Sequence, residues 1–113
     1  MKVTIDRTKW YRGKGSATSR LLIDADSPNH GKMCCLGFVC LALGASKKEI
    51  CGKQMPFSEG ISQVFPDWLT DQNGEDLYTL TRTNDCTNIE ESERERAVIE
   101  TCAKHDIEIE FIN

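Results

Sequence analysis

Short alternating patterns sit at both ends of this chain, and an unbroken apolar run sits near its middle. In IEIEFI, 107–112, Ile107, Ile109 and Phe111 alternate with Glu108, Glu110 and Ile112. That period of two marks a strand with one face on a core. KVTI, 2–5, is short and rich in β-branched residues, and it reads as a second strand. Two terminal strands in so short a chain are expected in one sheet, which ties the ends together. SRLLID, 19–24, is the third strand candidate, closed by ADSPNHG, a turn built from Asp, Ser, Pro, Asn and Gly.

The run MCCLGFVCLAL, Met33 to Leu43, is apolar on every face, and its Leu, Ala, Met and Cys favour helix at that length. A buried central helix starting near Cys34 follows, with Gly44 as its C-terminal stop. SKKE, 46–49, has the Ser and Glu spacing of a capping box and opens a short second helix. After a loop with Pro56 and Gly60, FPDWL, 65–69, suggests an amphipathic lid through Trp68 and Leu69. LYTLTR, 77–82, reads as one or two helical turns before Asn84-Asp85. TNIEESERERAVIETCAKHD, 87–106, reads as a long acidic helix with a capping box from Thr87 and Glu90. Its apolar stripe is Ile89, Val98, Ile99, Cys102 and Ala103, and Glu91, Glu93, Arg94 and Glu95 are expected in water. The pattern as a whole predicts one α+β domain over residues 1–113.

Composition narrows the functional classes. The net charge is −4 and the longest apolar run is the eleven residues of Met33–Leu43, short of the roughly 18 that a membrane span needs. No apolar segment follows the first lysine, so the expected location is a cytoplasm, where thiols stay reduced. The six cysteines, at 34, 35, 40, 51, 86 and 102, are therefore read as thiols. No C-x-x-C or H-x-x-x-H spacing occurs, and His30 with Cys34, Cys35 and Cys40 makes only an irregular donor set. No metal and no cofactor is assigned. Charge is uneven: residues 7–20 carry five Lys or Arg and no acid, whereas 84–113 carry nine acids against three bases. The acidic remainder argues against duplex nucleic acid as a partner.

Three constellations carry candidate chemistry. In WYRGKGS, the Gly13-x-Gly15 turn can aim backbone N–H groups at a phosphate. Arg12, Lys14, Ser16 and Ser19 stand beside it, and Trp10 or Tyr11 can stack on a base. It has neither the Walker lysine spacing nor the three-glycine dinucleotide pattern, so it names an anion or nucleotide and no enzyme class. The competing account is a solvated basic turn. Cys34 and Cys35 fall in the first turn of the expected helix, where the dipole lowers a thiol pKa. That makes Cys35 a nucleophile candidate with His105 as base, against the plainer account of small residues packed at a helix start. Asn84-Asp85 either closes a turn and caps the next helix or, through Asp85, orients a histidine or reaches a ligand.

The order W-Y-R-G-K-G-S, M-C-C-L-G-F-V-C, P-D-W-L and N-D resembles a family of small proteins of bacteriophages and prophages. The matching positions are Trp10, Gly13, Gly15, Cys34, Cys35, Leu36, Gly37, Cys40, Trp68, Leu69, Asn84 and Asp85. Thr83 departs from the family's apolar residue before Asn-Asp. The resemblance implies a phage or prophage origin and action in a host cytoplasm, and it brings no established activity. Locally, CCLGFV is similar to the D-C-S-G-F-V block of NlpC-type cell-wall cysteine peptidases, which puts the nucleophile on Cys35. Cys34 stands there for the Asp and Leu36 for the Ser, and no histidine-bearing strand follows soon after. The leading expectation is a non-enzymatic phage accessory or anti-defence protein that binds a phosphate-bearing small molecule or a host protein. Its ligand site would be drawn from Trp10 to Ser16, Cys34, Cys35, Asn84 and Asp85. A cysteine-dependent hydrolase or transferase and a purely structural domain are the alternatives. Exposed Trp10 and Trp68 would suit a homodimer.

Overall fold

The computed structural model describes residues 1–15 and 19–113. Strand β1, Lys2–Asp6, runs into a 3-10 turn at Arg7–Lys9. Helices α1 (Cys35–Ala42), α2 (Lys47–Ile50), α3 (Asp67–Thr70), α4 (Glu75–Asp85) and α5 (Glu91–Ala103) follow, and strand β2, Glu108–Ile112, closes the chain. The architecture is α+β, with both terminal strands in one parallel two-stranded sheet. Val3 pairs with Ile109 and Ile5 with Phe111, so the alternating apolar positions of both strands share a face. Val3, Ile5 and Ile109 enter the core, while Lys2 reaches across to Glu110 at 2.9 Å on the outer face.

Helix α1 is the centre of the molecule, as its unbroken apolar pattern requires. Cys35, Leu36, Val39 and Cys40 are buried, and Phe38 and Leu41 pack against the same cluster. Gly37 marks a close crossing: a Cβ there would lie 1.9 Å from the Leu21 carbonyl oxygen. No side chain larger than hydrogen fits without moving the backbone.

The third strand expectation is corrected. Residues 19–24 include the buried Leu21, Leu22 and Ile23 but form no strand, and Leu22 makes an isolated parallel bridge to Cys51. Leu21 N–H donates to Lys53 O at 2.7 Å and Ile23 N–H to Lys32 O at 2.9 Å, so the segment is flanked by loops on both sides. Helix α2 has the expected capping box: Ser46 and Glu49 exchange side-chain-to-backbone bonds. Leu69 of α3 is fully buried, and Trp68 stacks on His105 with centroids 4.0 Å apart.

The last two helices differ most from the expected pattern. Helix α4 runs through Asn84 and Asp85, which are its final residues and not a turn. Helix α5 begins at Glu91, and its N-cap Glu90 makes no side-chain cap, so the Thr87–Glu90 box does not form. Val98 and Cys102 are buried, but Ile99 is exposed. Arg94, expected in water, is only 4% exposed. No helix among the described residues is long and apolar enough to cross a membrane.

Candidate functional site

The residues singled out in WYRGKGS, the cysteine pair and Asn84-Asp85 converge on one end of α4. A helix leaves its last carbonyls without intrahelical partners. Here the Gly turn supplies them: Gly13 N–H donates to Asn84 O at 2.8 Å and Gly15 N–H to Asp85 O at 2.9 Å. Both glycines have positive φ, +67° and +86°, the left-handed region that glycine enters without strain. Arg94 completes the cap, its Nη1 donating to Thr83 O at 2.7 Å and Asn84 O at 3.1 Å. A guanidinium there also complements the negative end of the helix dipole. The expected phosphate cradle is corrected on this point, because the two glycine N–H groups are already committed to α4. Ser16 lies outside the described residues.

The Asn84 side chain ties the end of α4 to two other segments. Its Oδ1 accepts from Trp10 Nε1 at 2.8 Å and from Cys35 N–H, the first helical amide of α1, at 3.0 Å. Its Nδ2 donates to Tyr11 O and to Asp85 Oδ1, each at 3.0 Å. Cys34 is the N-cap of α1 and makes no side-chain cap, so Asn84 provides that cap from a different helix. Asp85 Oδ2 accepts from Ser19 N–H at 3.0 Å, and its Oδ1 accepts from the Ser19 hydroxyl. Among the described residues, no buried side-chain nitrogen or oxygen lacks a partner. Asp85 holds Ser19, the histidines bond instead to Ser27 O and Asp76, and Asn84 with Asp85 serves as an internal brace.

The cysteine pair takes part in this brace through backbone and packing. Cys34 and Cys35 are 4% and 1% exposed. Burial pushes the Cys34 thiol up to about 12 and the Cys35 thiol well above its ordinary range, which overrides the helix N-terminus that alone would lower them. The Cys35 thiol points at Leu80 O, 3.9 Å away. His105 instead meets Asp76 Oδ2 at 2.8 Å, at the other end of α4. The structure therefore does not bring Cys35 and His105 into the nucleophile–base pair expected from sequence. Among the described residues, no three His, Cys, Asp or Glu side chains are grouped to hold a metal.

What remains accessible from the basic segment is the outer wall of the brace. A polar cleft of about 250 Å³ is lined by Tyr11, Arg12, Lys14, Asn29, Lys32 and Glu91, with Arg7 and Trp10 behind them. Trp10 is 3% exposed, with Arg12 over its ring at 4.5 Å and Phe111 at 5.0 Å. It is therefore closed to base stacking, and it cannot offer the self-associating surface expected of it. Tyr11 is half-buried and has Lys14 Nζ 5.9 Å from its ring centre.

The four cations of the cleft are not equivalent. Arg7 is bound in a fork to Glu95, both bonds 2.8 Å, which holds the Glu95 carboxyl below its usual range. Arg12 Nε donates to Glu91 at 3.0 Å, and its Nη1 to the Arg7 and Trp10 carbonyls. Lys14 and Lys32 have no carboxylate partner among the described residues. Lys32 and Asn29 were missed from sequence because they belong to the turn after residue 24, and only the fold sets them beside Arg12. On another face, Met1, Ile99, Ala103, Ile107 and Ile109 line an apolar groove of about 540 Å³. Compared with family models, curated proteins and solved structures, the chain matches none of them.

Proposed function

We propose that this chain is an accessory protein of phage type that acts by binding inside the infected cell. Its ligand is a phosphate-bearing small molecule seated in the cleft of Arg12, Lys14 and Lys32. One observation carries the reading: in a chain of net charge −4, two lysines without carboxylate partners among the described residues face the same polar cleft. Concentrated positive charge in a concave polar wall is what an anion requires. A volume of about 250 Å³ takes a phosphoryl group and a small substituent, below the roughly 300–1,000 Å³ of sites that enclose a whole drug-sized ligand. The Tyr11 ring beside it suits a ligand with a flat group such as a base.

Binding is preferred over cysteine catalysis because the Cys35 thiol is buried and His105 is held by Asp76. The test is native mass spectrometry of the protein purified from expressing cells, compared with its denatured mass. A mass excess that vanishes on denaturation and is missing from a Lys14→Glu/Lys32→Glu variant supports the reading. Equal native and denatured masses for a folded protein overturn it, and a host protein then becomes the partner to seek by affinity capture. The same spectrum reads the oligomeric state.

A further inference from the structure

Among the described residues Glu91 is the one acid lining the cationic cleft, and one of its oxygens is shared. Oε1 accepts from Arg12 Nε at 3.0 Å and from Arg94 Nε at 3.1 Å. The side chain is 45% exposed, whereas that of Arg94 is 5% exposed. The two arginines therefore differ in kind. Arg94 is fixed in the brace by the Thr83 and Asn84 carbonyls, and Arg12 stands in the wall of the cleft with its guanidinium over Trp10.

We infer that Glu91 is an internal counter-anion of this cleft, which an incoming ligand displaces from Arg12, and that Arg12, Lys14 and Lys32 together then select phosphomonoester dianions over monoanionic diesters. This rests on the binding reading above and deepens it. Displacement leaves no charge unpaired: the carboxylate stays on Arg94 and near the N-terminus of α5, where the helix dipole favours it. Arg12 exchanges one carboxylate for a phosphoryl oxygen, and Lys14 and Lys32 gain partners they otherwise lack. A monoanion must overcome the same competitor with half the charge. A dianion engages Arg12 and both lysines together, with stronger charge-assisted bonds.

The probes are phenyl phosphate, whose second ionisation near pH 6 makes it a dianion at pH 8, and methyl phenyl phosphate, its monoanionic diester. Affinities are read by isothermal titration calorimetry at pH 8 and low salt. The full-length protein is expected to bind the monoester at least about tenfold tighter than the diester. Glu91→Gln, which keeps an oxygen for Arg94, is expected to tighten both by about three- to fivefold, as loss of an exposed competing ion pair implies. A thermal unfolding midpoint near that of the parent confirms that the variant is folded. Binding that Lys14→Glu/Lys32→Glu abolishes but Glu91→Gln leaves unchanged or weakens overturns this inference alone. So does equal affinity for the two probes. No binding of either probe to either protein overturns both the inference and the binding reading.

Discussion

Asn84 and Gly37 do the most that single residues do in this fold, and neither does it by hydrophobic burial. Asn84 uses both its acceptor and its donor group inside the protein, on Trp10, Cys35, Tyr11 and Asp85. Asn84→Ala leaves the buried Trp10 and Cys35 N–H groups unpaired, and each orphaned group costs about 1–3 kcal/mol. A total loss of about 2–4 kcal/mol is expected from urea unfolding; a loss under about 1 kcal/mol would show that water replaces the amide. Gly37→Ala tests the α1 crossing, since its Cβ would meet the Leu21 carbonyl at 1.9 Å. A loss of about 3 kcal/mol is expected, at the upper end of overpacking costs. Sequence singled out Asn84, Asp85, Gly13, Gly15 and the cysteine pair, and the structure joins them. Their role was illegible because a buried amide and a ligand-binding amide look the same in one dimension. What separates them is the set of partners, 49 to 74 residues away in sequence for Asn84's bonds to Cys35 and Trp10.

At the scale of elements, the terminal strands, α1 and α2 were legible because their signals are local: alternation, an unbroken apolar run, and a capping box. The end of α4 was not. Asn and Asp are poor helix formers that favour turns, and the cap that keeps them helical arrives from Gly13, Gly15 and Arg94. Arg94 was misplaced for the same reason, since its carbonyl partners come from the preceding helix. Arg94→Leu removes that cap and leaves Glu91 without its second partner. The expected consequence is faster amide exchange at the α4 end and about 2–4 kcal/mol lost in urea unfolding. The α2 cap makes a pH prediction. Glu49 accepts from Ser46 N–H and from the Ser62 hydroxyl and N–H, bonds that lower its carboxyl from 4.5 to about 2, and Gln63 N–H donates to the same carboxylate. A depressed carboxyl contributes stability above its unfolded pKa and loses it as pH falls through the folded one. The Glu49 bonds to Ser46, Ser62 and Gln63 are thus intact above about pH 4.5 and lost toward pH 2. Carbon-detected NMR of the Glu49 carboxyl should show its midpoint near 2; a midpoint near the usual value would mean the loop is not closed in solution.

Across the whole molecule, a net charge of −4 stands against the cationic cleft of Arg12, Lys14 and Lys32. The inner wall of that cleft is the brace, so its geometry is set by the same bonds that hold α4 and α1 together. Sequence located half of the cleft in Tyr11, Arg12 and Lys14. Lys32, Asn29 and Glu91 come from two other segments and meet the first three only when the chain folds. Because the proposed attraction is between exposed charges, affinity for a phosphate-bearing ligand should fall steeply with salt. The most direct test is a titration of the 15N-labelled protein with phenyl phosphate, followed by amide chemical shifts at low salt. The account predicts saturable shifts at Tyr11, Arg12, Lys14, Asn29, Lys32 and Glu91, with the α1 amides from Leu36 onward unmoved. Shifts absent from these residues, or centred on Cys34 and Cys35, would contradict it.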